Sequence, residues 1–109
     1  MIPKIGETWF VDFGLAAKPR WGYVVGAAPD GRLALASVLT ITTQYESTPY
    51  EMALPRVPWL RDQSYVNAQS LQPVKFFELS RKAPGQFDAS VLEGVRRLLK
   101  LWLQLSAAK

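Results

Sequence analysis

The 109 residues include no histidine and no cysteine. Imidazole acid–base chemistry, thiolate nucleophiles and the commonest zinc ligands are therefore excluded. What remains for chemistry is guanidinium, hydroxyl, amide and carboxylate. Two such groups stand at the ends of β-rich segments: Arg20 opens "RWGYVVGAA", and Thr42 with Thr43 closes "ALASVLTITTQ". A planar guanidinium matches phosphate oxygens, and a nearby hydroxyl can add a hydrogen bond. Chemistry without imidazole is still possible if the substrate brings its own nucleophile. RNA does so, because a ribose 2′-hydroxyl can attack the adjacent phosphate, giving a cyclic phosphate and a free 5′-hydroxyl. The protein need only hold the phosphodiester in line and stabilise the charge on its oxygens. A plainer account stands beside this one: threonine ends strands through β-propensity alone, and Arg20 is a solvated residue before a strand. Asp12 has no second acid beside it and reads as structural.

The elements that must position these residues follow from periodicity. "ETWFVDFG" alternates Trp9, Val11 and Phe13 with Thr8, Phe10 and Asp12, a strand with one fully apolar face. "WGYVVGAA" is the second strand, with Gly22 and Gly26 marking bends or close backbone approach. Pro29-Asp30-Gly31 is a turn, since proline presets φ and glycine accepts positive φ. "RLALASVLTITT" returns as its hairpin partner. Antiparallel pairing sets the start of one strand against the end of the other, so Arg20 and Thr42/Thr43 are expected to meet. "TPYEMAL" predicts a fourth strand, "PRVPWLRDQS" a loop, and "YVNAQSLQPV" a short strand with a turn. "KFFELSRK" reads as a short helical turn leading into a brief strand.

Asp88 is a good N-cap for a helix over "ASVLEGVRRLLKLWLQLSA". Val91, Leu92, Val95, Leu98, Leu99, Trp102 and Leu105 recur at three- and four-residue steps, an apolar stripe read as core. Leu101 and Leu103 widen it beyond one packing face, as dimerisation or partner docking would require. Arg96, Arg97 and Lys100 stand where the helix dipole favours cations. Gly94 costs about 1 kcal/mol against alanine.

Strands first and one helix last predict a single domain, 1–109, mainly β, a small barrel or strongly bent sheet plugged by a C-terminal helix. The formal charge of +4 favours an anionic partner, nucleic acid first. No apolar run reaches the roughly 18–20 residues of a membrane span, and no secretory signal opens the chain, so a cytoplasmic protein is expected. Among the tryptophans, Trp9 reads as core. Trp59, between prolines and Arg61, reads as an exposed aromatic, while Trp21 and Arg81 are candidates for base stacking and for a phosphate track.

Taken in order, "GETWFVDFG", "KPRWGYVV", "TTQYESTPYE", "NAQSL" and "ELSRKAPGQF" resemble the MazF/PemK (Kid-like) toxins of bacterial toxin–antitoxin modules over nearly the whole chain. The resemblance implies an SH3-like barrel of the CcdB/PemK type, usually a homodimer. It implies a metal-independent endoribonuclease acting on single-stranded RNA, without cofactor, and neutralised by a cognate antitoxin. Arg20 matches the family's catalytic arginine, which would stabilise the phosphorane and could donate a proton, and Thr42 its catalytic threonine or serine, which would orient the phosphate. Lys18, Trp21, Thr43, Gln44, Gln69 and Arg81 are the expected RNA contacts around them. The sequence departs from the family in three places. Trp21 replaces the proline after the arginine, Ala68 replaces the aspartate before Gln69, and the link "GLAAKPR" lacks the acidic residue that several members carry there. The rival expectation is a binding module on the same barrel, acting on a protein target as the CcdB toxins do, or simply binding RNA.

Overall fold

The computed structural model describes residues 2–14, 18–28 and 35–105. Seven strands form one bent antiparallel sheet: β1 (Thr8–Val11), β2 (Arg20–Ala27), β3 (Leu35–Thr42), β4 (Glu51–Ala53), β5 (Tyr65–Asn67), β6 (Gln72–Lys75) and β7 (Leu79–Lys82). An α-helix, α1 (Ala89–Leu103), follows them, the only one among the described residues. The expected mainly β architecture with a C-terminal helix is therefore the one that forms. Phe76–Glu78 makes the anticipated short helical turn, here 3-10, and runs directly into β7.

The order β4-β5-β3-β2-β1-β7 makes β3 the central strand. One edge of β3 pairs with β2 along most of its length, from Gly22↔Thr40 to Ala27↔Ala36. Its other edge is divided: Leu35–Val38 pairs with β6, whereas Ile41 and Thr42 pair with β5. Because strand residues alternate faces, the sheet separates two cores. One holds Trp9, Val11, Val24, Val38, Val74 and Leu79. The other holds Tyr23, Leu39, Ile41, Val66, Val91 and Val95 and lies beneath α1. Gly22 permits the close approach foreseen for it: a Cβ there would stand 3.0 Å from Val11 Cγ2 and 3.3 Å from Val38 Cβ. The ladder slips between Val24 and Gly26, so the second glycine marks a bulge.

Several boundaries move. β1 stops at Val11, and Asp12 closes a turn by accepting from the Gly14 N–H at 2.9 Å, with Gly14 at φ +67. β4 shrinks from the expected 48–54 to three residues, since Thr48–Tyr50 belong to the loop before it. α1 begins at the Asp88 cap, whose carboxylate accepts from both the backbone and the hydroxyl of Ser90. It ends at Leu103 rather than Ala107, because Gln104 takes a left-handed conformation and its N–H returns to the Leu101 and Lys100 carbonyls. Trp102 and Leu105, expected within the buried stripe, are exposed along with Leu101 and Leu103. Gly94 meets Met52, whose Sδ lies 3.0 Å from where a Cβ would be, so close packing on β4 compensates its low helix propensity. The Pro29-Asp30-Gly31 turn lies outside the described residues.

The start of the chain is anchored by a buried carboxylate. Glu7 accepts from the Lys4 N–H at 2.9 Å, from Trp9 Nε1 at 3.0 Å and from Lys82 Nζ at 3.5 Å. Burial pushes its pKa up, but these donors together outweigh that and hold it below the ordinary 4.5. A depressed carboxyl adds stability that is complete above the unfolded-chain value and disappears as pH falls through the lower folded-state value. Denaturant midpoints should therefore fall as pH drops below 4.5. Glu7→Gln should be less stable at neutral pH and should lose that part of the acid limb.

Candidate functional site

The open ends of β2 and β3 come together as the hairpin register requires. Gly22 faces Thr40, and carrying that register two residues outward sets Arg20 beside Thr42, on the same face of the sheet. Both line a depression of about 310 Å³ with Lys18, Pro19, Ile41, Thr43 and Gln44. A second depression, about 270 Å³, continues from Arg20, Thr40 and Thr42 to Asn67, Gln69 and Ser70. A third joins Arg20 and Thr40 to Phe13 and Gln72. Arg20 is common to all three, and among the described residues no carboxylate lines any of them.

The division of β3 between two partners opens this region. After Val38↔Gln72 the next pair on that edge is Ile41↔Val66, so the ladder is interrupted at Leu39 and Thr40. The chain crosses from β5 to β6 here through a 3-10 turn at Ala68–Ser70. The turn is fixed by Asn67, whose Oδ1 accepts from the Gln69 N–H at 2.8 Å, and by Ser70 Oγ, which donates to the Asn67 carbonyl at 2.8 Å. Ser70 Oγ also accepts the Thr40 N–H at 3.1 Å. A side chain thus completes the strand where no neighbouring backbone reaches, as a part-buried N–H requires.

Local bonds also aim the groups. Thr42 Oγ1 accepts the Gln44 N–H at 3.1 Å, which leaves the hydroxyl proton available to a ligand. Arg20 is exposed and enters no ion pair among the described residues. Two exposed cations, Lys18 and Arg20, thus meet a threonine hydroxyl and amide side chains in a shallow hollow. Such a set can hold an anion with planar oxygens and stabilise charge growing on it.

Arg20, Thr42, Lys18, Thr43, Gln44 and Gln69 are therefore gathered in one region. Trp21 and Arg81 are not. As the neighbour of Arg20 on a strand, Trp21 faces the other side of the sheet. There its ring meets Phe10 at 5.2 Å and Trp59 at 5.6 Å, beneath the Arg81 guanidinium. Trp59, expected to be exposed, is half-buried between Trp21 and Phe87. Thr40, Asn67, Ser70 and Gln72 went unselected in the sequence. Thr40 carries a signal, since it lies two residues before Thr42 and so shares its face, and Asn67 and Ser70 flank Gln69 in the segment "NAQSL".

No protein-family model matches the sequence, and no curated protein matches it. Solved structures do. A mycobacterial endoribonuclease in complex with its cognate antitoxin aligns with a TM-score of 0.80 at 21% identity, over 95% of this chain and 97% of that one. A chain of the MazE–MazF crystal structure from Deinococcus radiodurans aligns at 0.80 and 20%, over 97% and 99%. The Mycobacterium tuberculosis toxin MazF-mt6 aligns at 0.78 and 19%, over 92% and 98%. With nearly the whole of each chain superposed, this chain has the fold of the MazF toxins.

Proposed function

We propose that the chain is a MazF-type toxin, an endoribonuclease that cleaves single-stranded RNA by 2′-hydroxyl attack. The observation that carries this reading is the meeting of Arg20 with Thr42 in a cation-lined hollow, on a fold shared with proteins named as endoribonucleases. The 2′-oxygen bonds to phosphorus and the bond from phosphorus to the 5′-oxygen breaks. One proton leaves the 2′-hydroxyl and one reaches the departing 5′-oxygen, giving a 2′,3′-cyclic phosphate and a 5′-hydroxyl. Arg20 would stabilise the charge on the non-bridging oxygens of the phosphorane, and the Thr42 hydroxyl would donate to one of them and hold the phosphate in line. Lys18, Thr43, Gln44 and Gln69 would bind the flanking nucleotides.

The chain has no histidine or cysteine with which to hold zinc, and the proposed chemistry calls for no metal. Trp21 and Arg81 are assigned no part in cleavage. By the same reading the chain acts as a homodimer and is restrained by a cognate antitoxin, as the mycobacterial endoribonuclease is found with its own.

The test is cleavage of a long single-stranded RNA by the purified, antitoxin-free protein in excess EDTA, with the product ends identified. Cyclic-phosphate and 5′-hydroxyl ends are expected. A folded protein that leaves varied RNAs intact, or that cuts only when a divalent metal is restored, would refute the mechanism.

A further inference from the structure

Two tyrosines outside the machinery just described stand at the rim of the site. Tyr65 is paired with Thr42 across β3 and β5. Residues directly opposite in an antiparallel pair carry their side chains on one face, so Tyr65 shares a face of the sheet with Thr42. Tyr45 leaves the loop one residue after Gln44 and stacks on Tyr65, with centroids 5.1 Å apart and planes inclined by 30°. Tyr65 is half-buried, but Tyr45 is 58% exposed. One face of its ring is covered by its neighbour, and much of the ring is open to solvent.

The ring is not what holds its loop. Gln44 N–H is bound by Thr42 Oγ1 at 3.1 Å, and the N–H groups of Glu46 and Thr48 donate to the Glu51 carboxylate at 3.2 and 3.0 Å. Tyr50 N–H donates to Thr48 Oγ1 at 3.2 Å. Polar bonds fix the segment at both ends, and the aromatic ring is presented on it already ordered. Gln44, the residue before Tyr45, lines the hollow that holds Lys18 and Arg20, and an ordered π face so close in the chain to two cations combines the two features single-stranded nucleic acids need, a stacking surface and a cationic track for the backbone. Ordering before binding lowers the entropic cost of association.

We propose that Tyr45, backed by Tyr65, is a stacking platform for a base of the single strand whose phosphate lies at Arg20 and Thr42. This rests on reading that hollow as an RNA site and adds the subsite next to it. The test uses short fluorescent single-stranded deoxyoligonucleotides, which lack the attacking 2′-hydroxyl, so binding is read without cleavage. Tyr45→Ala should weaken binding roughly 5- to 100-fold, and Tyr45→Phe should restore it. Scanning one abasic position along a bound strand should find a site whose loss weakens the wild type and costs Tyr45→Ala nothing further. Equal affinity of wild type and Tyr45→Ala, or identical abasic profiles for the two, would overturn the platform. A wild type that cuts RNA yet binds independently of Tyr45 sinks only this inference. One that binds through Tyr45 but never cuts sinks only the nuclease reading. No binding by a wild type that still cuts RNA overturns the platform alone, and no binding together with no cleavage overturns both.

Discussion

Arg20→Ala should slow RNA cleavage by roughly 10²- to 10³-fold, the usual loss when a donor to a developing oxyanion is removed. The side chain is exposed, so the folded state should be unaffected within about 0.5 kcal/mol, and the loss can be assigned to chemistry. Arg20→Lys should recover only part of the rate, because an ammonium keeps the charge but lacks the planar fork. Thr42→Ser should retain most activity, since it preserves the hydroxyl that accepts the Gln44 N–H. Thr42→Val should lose about fivefold, in line with one hydrogen bond near 1 kcal/mol. Single-turnover rates on one RNA, with melting curves for each variant, decide the matter. An Arg20→Ala protein that cuts at the wild-type rate would remove the phosphate from this hollow altogether.

The largest effect on stability is expected at Leu39→Ala. Leu39 is fully buried in the core beneath α1 and sits at the centre of β3, facing Tyr23 on β2. Truncating a leucine in such a place costs about 2–5 kcal/mol, transfer and cavity terms together. Against a total near 5–15 kcal/mol this is a large fraction, equivalent to a fall of roughly 10–30 °C in melting temperature for a domain of this size. Leu101→Ala, on the exposed end of α1, should change stability by no more than about 0.5 kcal/mol in the isolated chain. Parallel urea titrations of the two variants test the comparison. Similar midpoints would mean that the interior under α1 does not hold the strand.

How much of this was legible in the sequence depends on the distance over which each residue finds its partners. The meeting of Arg20 with Thr42 was legible because a hairpin converts nearness in sequence into register, and alternation then fixes the face. The same alternation was enough to separate Trp21 from Arg20, since consecutive residues on a strand cannot both face one hollow. Trp59 misled because prolines and Arg61 around it describe a surface loop, while the contacts that bury it come from Trp21 and Phe87, far away in sequence. The end of α1 was concealed by an apolar stripe that runs on past it. Its stop is a backbone event at Gln104, and periodicity does not register such events. The bond from Thr40 N–H to Ser70 Oγ joins residues thirty apart through one side chain, and no local pattern announces it.

That bond has a consequence for how the molecule can change over time. β2 takes one edge of β3, β5 and β6 divide the other, and the Ser70 hydroxyl occupies the amide left between them. The central strand therefore offers a bound chain little backbone to pair with, and an arriving strand cannot simply extend the sheet beside the site. On the proposed reading, recognition would fall instead to side chains standing on a finished framework: an amide at Gln44, another at Gln69, a phenol ring at Tyr45. Each can be exchanged singly without disturbing the ladder beneath it. If the hollow holds a phosphate as proposed, lineages with this architecture could drift in what they read while the frame beneath stays fixed.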